Sequence, residues 1–127
     1  MATSLQIKPE TLFDLMKQHF ETQEGKQLCN KVNLVFQLNL APKKIGVDEI
    51  SYIIDFKNRN VFKGKLEGEE KPDVTFSFKE DDFMRIALRK LNPQVAFMRG
   101  LVKVKGSLTA AQKFSPEIFP KFPVSKL

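Results

Sequence analysis

The sequence predicts an α+β domain: one sheet of hairpin-linked strands with helices on one of its faces. Three observations lead there. The hydrophobic period is 3.6 residues over positions 9–22 and drops to two from Val32 onward. The alternating segments then follow one another with only turns between them, which is hairpin spacing. The remaining helical patterns come after the first strands, not between each successive pair. A length of 127 residues suits one domain whose core needs no disulfide or metal staple.

Residues 9–22 form the first predicted helix. Pro9 suits its first position and Glu10 its first turn. Leu12, Phe13, Leu15, Met16, His19 and Phe20 share one face at 100° per residue, and Gly25 reads as a stop. A short helical turn over 26–30 follows. Val32, Leu34, Phe36, Leu38 and Leu40 then alternate with Asn33, Val35, Gln37 and Asn39, and after the Pro42–Gly46 loop Ile50, Tyr52, Ile54 and Phe56 alternate with Ser51, Ile53 and Asp55. The Asn58-Arg59-Asn60 turn leads to a third strand over 61–66. Val74, Phe76 and Phe78 mark a fourth.

Glu80-Asp81-Asp82 opens a further helix and Arg89-Lys90 closes it, both signs matching the helix dipole. Phe83, Met84, Ile86, Ala87 and Leu91 form its apolar arc. Asn92-Pro93 breaks that helix and starts another, which reaches Arg99. Gly100 and Gly106 bracket a fifth strand, and Ser107 caps a last helix running to about Phe114. Pro116, Pro120 and Pro123 predict a largely extended tail over 115–127.

Composition narrows the function. There are 21 basic and 15 acidic residues, giving a net charge of +6, which favours anionic partners without choosing among them. The longest stretch free of charge, Val32–Pro42, is too short for a membrane span of about twenty residues. The start lacks the charged lead and apolar run of a secretory signal. One cysteine, Cys29, excludes an internal disulfide.

Catalytic candidates are few. His19, the single histidine, lies on an apolar arc, where a packed structural role is the simpler reading. Lys26 and Lys31 lie near Cys29 in sequence, where nearby cations can lower a thiol pKa, but a small core or surface thiol is the preferred reading. One Cys and one His cannot build a zinc site, and no phosphate-binding glycine motif occurs. The chain therefore reads as a non-enzyme with no cofactor and no metal. The lysines are dispersed and the aromatic residues fall on inward positions, so a nucleic-acid binder ranks third among the readings.

The apolar interior remains. There are twelve Phe, one Tyr and no Trp, so the chain fills space with rings that carry no polar handle. The inward positions include Phe13, Met16, Phe20, Phe36, Leu38, Ile54, Phe76, Phe83, Met84, Phe97, Met98, Val102 and Val104. These are the candidate lipid-binding residues. Their pattern fits a filled core and a hollow one equally.

Two further signals are specific. The chain ends in Ser125-Lys126-Leu127, a peroxisomal address read by an import receptor. The block Leu91-Asn92-Pro93-Gln94-Val95-Ala96-Phe97-Met98-Arg99-Gly100-Leu101-Val102-Lys103-Val104-Lys105-Gly106 closely resembles the signature of the sterol carrier protein 2 family. Phe78-Lys79-Glu80-Asp81-Asp82-Phe83, Ser107–Phe114 and Ile53-Ile54-Asp55-Phe56-Lys57 extend the likeness over nearly the whole chain, which looks most like the free-standing plant form. The resemblance implies a five-stranded, mostly antiparallel sheet covered on one face by helices, enclosing a hydrophobic tunnel. It implies binding and transfer of sterols, fatty acids, fatty acyl-CoA and phospholipids in peroxisomes; the reading adopted is a non-catalytic carrier acting as a monomer. By position, Phe83, Phe97, Met98, Val102 and Val104 would line or close the tunnel.

Two departures stand out: Arg89 and the turn Asn58-Arg59-Asn60 lack glycines common in the family. Arg85, Arg89, Lys90, Arg99 and Lys113 are candidate contacts for lipid headgroups and acidic membranes. The competing role is an accessory module that presents lipids to peroxisomal enzymes without transferring them.

Overall fold

Pro9 sets the start of the first helix, α1 (Pro9–His19), in the computed structural model, which describes residues 8–120. Leu12, Phe13 and Met16 on its inner face are buried. The helix ends three residues earlier than its pattern suggests, because Thr22 begins the next one. The Thr22 hydroxyl oxygen accepts from the Gly25 N–H at 3.0 Å, capping α2 (Gln23–Val32). Gly25, expected as a stop, lies inside α2. A Cβ there would overlap the carbonyl of His19, so the glycine is what lets α2 butt against the end of α1. Val32, expected to open a strand, closes this helix, and Asn33 reverses the chain at φ 49°.

Five strands follow: β1 (Val35–Ala41), β2 (Ile50–Asp55), β3 (Asn60–Lys63), β4 (Val74–Lys79) and β5 (Val102–Gly106). They form one sheet in the order β3-β2-β1-β4-β5, antiparallel except for the β1–β4 pair. The parallel pair arises because the chain leaves β3 at one edge and returns beyond β1. Asp73 fixes that return: its carboxylate accepts from the Val35 N–H at 2.7 Å, and its own N–H donates to the Val35 carbonyl at 2.9 Å.

Alternation sets the faces. Phe36, Leu38, Leu40, Tyr52, Ile54, Val74, Phe76 and Phe78 are buried under the helices. On the other face Ser51 Oγ and Gln37 Nε2 both donate to Asn39 Oδ1, at 2.7 and 3.0 Å. Ile53 departs from the simple division: it lies on this second face and is also buried.

Helix α3 (Glu80–Ala87) begins with three acids. Its end explains the first missing glycine. Arg89 takes φ 63°, the left-handed conformation that closes a Schellman motif. The Arg89 N–H donates to the Ile86 carbonyl at 3.0 Å, and the Lys90 N–H to that of Arg85 at 2.8 Å. Arg59, at the other missing glycine, takes φ 54°. Both turns take the left-handed backbone that glycine adopts most readily, with an arginine carrying the strain.

Asn92 caps α4 (Pro93–Met98), accepting from the Gln94 N–H at 2.8 Å. Ser107 caps α5 (Leu108–Ala111), accepting from the Ala110 N–H at 3.0 Å. The expectation of an extended tail from residue 115 is corrected by a 3-10 turn at Pro116–Ile118, beyond which Phe119 is buried beside Ile118. The reason is apolar burial between the prolines. The Phe119 ring meets those of Phe83 and Phe114, each at 5.7 Å. Arg89 Nη2 donates to the Pro116 and Phe119 carbonyls at 3.2 and 3.3 Å. Ser125, Lys126 and Leu127 lie outside the described residues.

Candidate functional site

The register of β4 and β5 builds the floor of a groove. Phe76 pairs with Val104 and Phe78 with Val102, which puts four apolar side chains on one face at the sheet's edge. The helix layer above them is thin: α4 has six residues and α5 only four. The space left between is about 470 Å³. Pro93, Gln94, Phe97 and Met98 of α4 form one wall, Leu108, Ala111 and Gln112 the other, and Phe114 closes the inner end. Among the described residues no charged side chain lines it. Around the mouth, Phe97 is 54% exposed, Leu108 67% and Met98 84%. Such a contiguous apolar surface facing water marks a binding region more often than an accident of packing.

Of the residues nominated from sequence, Phe76, Phe97, Met98, Val102 and Val104 come together here. Phe97 and Met98, counted among the inward positions, are instead exposed at the rim, because α4 is too short to turn its last residues onto the sheet. Phe13, Met16, Phe20, Phe36, Leu38, Ile54, Phe83 and Met84 do not line the groove; they belong to the packed interior. Phe13 stacks on Tyr52 at 4.3 Å and Phe20 meets Phe56 at 5.3 Å. Phe36 meets Phe56 and Phe76, each at 5.4 Å. An open space beneath the sheet lies at its β4–β5 end, while rings pack together on the side of β1 and β2. Sequence reasoning left Phe78, Pro93, Gln94, Leu108, Ala111, Gln112 and Phe114 out of the nominated lipid-binding residues. The available signal was Leu108, a large apolar residue in a capped helix too short to bury it.

The nominated basic residues divide. Arg85 pairs with Asp82 at 3.4 Å, Arg89 holds the 3-10 turn, and Lys113 donates to the carbonyls of Lys31 and Val32, each at 3.3 Å. Lys90 and Arg99 have no such partner among the described residues. A second, smaller depression of about 330 Å³ lies where β1, β4 and β5 meet their loops. Its lining includes Lys43, Lys44, Lys79, Lys103 and the buried Asp82. One Asp82 oxygen, Oδ2, has no hydrogen-bond partner.

Burial pushes the Cys29 thiol up to about 11; Asp55 adds to the shift and Arg59 opposes it. Cys29 is buried in the core, and the lysines that flank it in sequence do not activate it. Among the described residues no group of acids, histidine and cysteine is placed to hold a metal, and no helix is long and apolar enough to cross a membrane.

Residues 5–117 match the SCP-2 sterol transfer family. The chain belongs to that family. It is 55% identical to "Sterol carrier protein 2" of Arabidopsis thaliana over 91% of this chain and 94% of that protein. It is 32% identical to "Peroxisomal multifunctional enzyme A" of Dictyostelium discoideum, over 71% of this chain but only 20% of that protein. The fold is that of "Sterol Carrier Protein 2 from Yarrowia Lipolytica (apo form)", with a TM-score of 0.74 at 25% identity, over 91% of this chain and 94% of that one. A "palmitated" SCP2L2 from Aedes aegypti is similar at a TM-score of 0.67 and 25% identity, over 91% of this chain and 97% of that one. Membership in this sterol carrier family accounts for the five-stranded sheet and its helices.

Proposed function

We propose that this chain binds lipids non-catalytically and moves them between membranes in the peroxisome, holding the apolar part of the ligand in the groove between β4, β5, α4 and α5. The observation that carries this reading is the uncharged groove of about 470 Å³ with large apolar side chains left exposed at its mouth. Each methylene that leaves water for such a site contributes about 0.8 kcal/mol. Gln94 and Gln112 are the polar groups in the lining, placed to meet a hydroxyl or carbonyl. Sterols, fatty acids, fatty acyl-CoA and phospholipids all present the required apolar body. The palmitated relative supports a fatty-acyl ligand. The peroxisomal reading is supported by the terminal Ser125-Lys126-Leu127 and by the likeness to a peroxisomal enzyme.

Transfer of a fluorescent fatty acid between two vesicle populations by the purified chain tests the proposal. Acceleration with increasing protein concentration is expected. One observation favours a second reading. In the Dictyostelium relative the matching region is a fifth of a larger enzyme, which suits a module that presents lipid to enzymes. Binding of fluorescent fatty acid without acceleration of transfer would select that module instead. No binding at all would remove both.

A further inference from the structure

The C-terminal end of α4 separates two surfaces of opposite character. Phe97 and Met98 line the apolar groove, whereas Gly100 and Leu101, immediately after them, line the second depression with Lys43, Lys44, Lys79 and Lys103. All four lysines are exposed, and among the described residues none is in a salt bridge. The single acid in that lining, Asp82, faces Arg85 at 3.4 Å, so the lysines are not neutralised from within. Between Asp82 and Glu117 the sequence carries seven basic residues and no acid. An exposed apolar rim of Phe97, Met98 and Leu108 thus stands beside a concentration of positive charge at the corner where β1 and β4 end and edge strand β5 begins.

We propose that this edge is the docking surface for an anionic bilayer: Phe97, Met98 and Leu108 enter the headgroup–acyl boundary while Lys43, Lys44, Lys79 and Lys103 meet anionic headgroups. The proposal rests on the lipid-carrier reading and adds where the membrane sits. Both components are needed, since a few apolar side chains or a few lysines alone bind bilayers weakly. Lysines on an edge strand also discourage strand pairing. That role covers Lys103 on β5 but does not gather Lys43, Lys44 and Lys79 around it. A nucleic acid would be expected to use stacked rings over the basic groups, and the rim here is mostly aliphatic and thioether.

The test is flotation of the full chain with phosphatidylcholine vesicles, with and without about one third phosphatidylserine. Binding should require the anionic lipid. Lys44→Gln with Lys103→Gln should weaken it roughly thirtyfold, equivalent to about 1 kcal/mol for each lysine near the surface. Lys43→Gln with Lys79→Gln should do the same. Neither pair lines the groove, so displacement of a soluble fluorescent fatty acid should be unchanged. Lys17→Gln with Lys57→Gln, both exposed and at the opposite end of the strands by the close of α1 and the turn after β2, removes equal charge and should cost much less. Equal losses from the near and distant pairs would overturn the proposal, as would indifference to phosphatidylserine. Displacement from vesicles by short RNA at physiological salt would also overturn it. Docking that persists while no variant or parent binds fatty acid would instead sink the carrier reading and leave the docking surface standing.

Discussion

Replacing Ala111 by Leu probes the groove where ligand and protein compete for the same volume. Ala111 is half-buried in α5 and its side chain lines the groove. Leucine adds three carbons without disturbing helix propensity much. A groove of about 470 Å³ holds roughly fifteen ligand carbons at about 30 Å³ each, the share of a water molecule in the liquid. The substitution leaves room for roughly twelve. At about 0.8 kcal/mol per methylene, a ligand long enough to fill the groove should lose about 2.4 kcal/mol, or roughly sixtyfold in affinity. A chain of about eight carbons does not reach the limit and should bind as before. The assay is displacement of a fluorescent fatty acid by saturated acids of increasing length, on the parent and on Ala111→Leu. The parent curve should steepen with each methylene and then level off, and the variant should level off about three carbons earlier. A uniform loss at all lengths, or none for long chains, would refute the assignment of the acyl chain to this groove.

Other expectations concern the scaffold. Gly25→Ala should cost about 3 kcal/mol or more in a urea melt, because the added methyl meets the backbone of His19 and Phe20, which cannot move aside cheaply. The two left-handed arginines should behave oppositely. Arg59→Gly, relieving backbone strain at an exposed turn, should raise stability by about 1 kcal/mol. Arg89→Gly relieves similar strain but loses both hydrogen bonds to the Pro116–Phe119 segment, so a net loss of about 1 kcal/mol is expected. The Cys29 thiol should resist iodoacetamide at neutral pH until the chain is unfolded. Its folded pKa, about 11, lies above the reference value of 9.0. The folded state therefore keeps a proton that the unfolded chain sheds as pH rises through that interval. The contribution of this thiol to stability should fall across that window in alkaline melts, and Cys29→Ala should abolish that component.

The fold was legible where a single periodicity ruled. Strands β1, β2 and β4 follow from alternation, and Asn92 and Ser107 announced the starts of α4 and α5. The helix of α2 was under-read because Gly25 looks like a stop until its contact with His19 is known. The parallel pairing of β1 with β4 has no signature in residue pattern, and the resemblance implied only a mostly antiparallel sheet. For the site, inward position alone could not separate groove from core. Val102 and Phe36 occupy equivalent places in their alternations, yet one lines open space and the other touches rings on two sides. The difference depends on how far the helices reach over the sheet, and also on Ile118 and Phe119, which fill space that a proline-rich tail was expected to leave.

The central claim is that the apolar part of a lipid lies between β4, β5, α4 and α5. Photocrosslinking with a fatty acid carrying a diazirine near its methyl end, followed by mass spectrometric mapping of the labelled peptides, tests it most directly. Label should concentrate on Phe97, Met98, Val102, Val104 and Leu108 and disappear when unmodified fatty acid is added in excess. Label concentrated on α1 and β2, around Phe13 and Tyr52, would place the ligand beneath the part of the sheet now filled by rings and contradict the account.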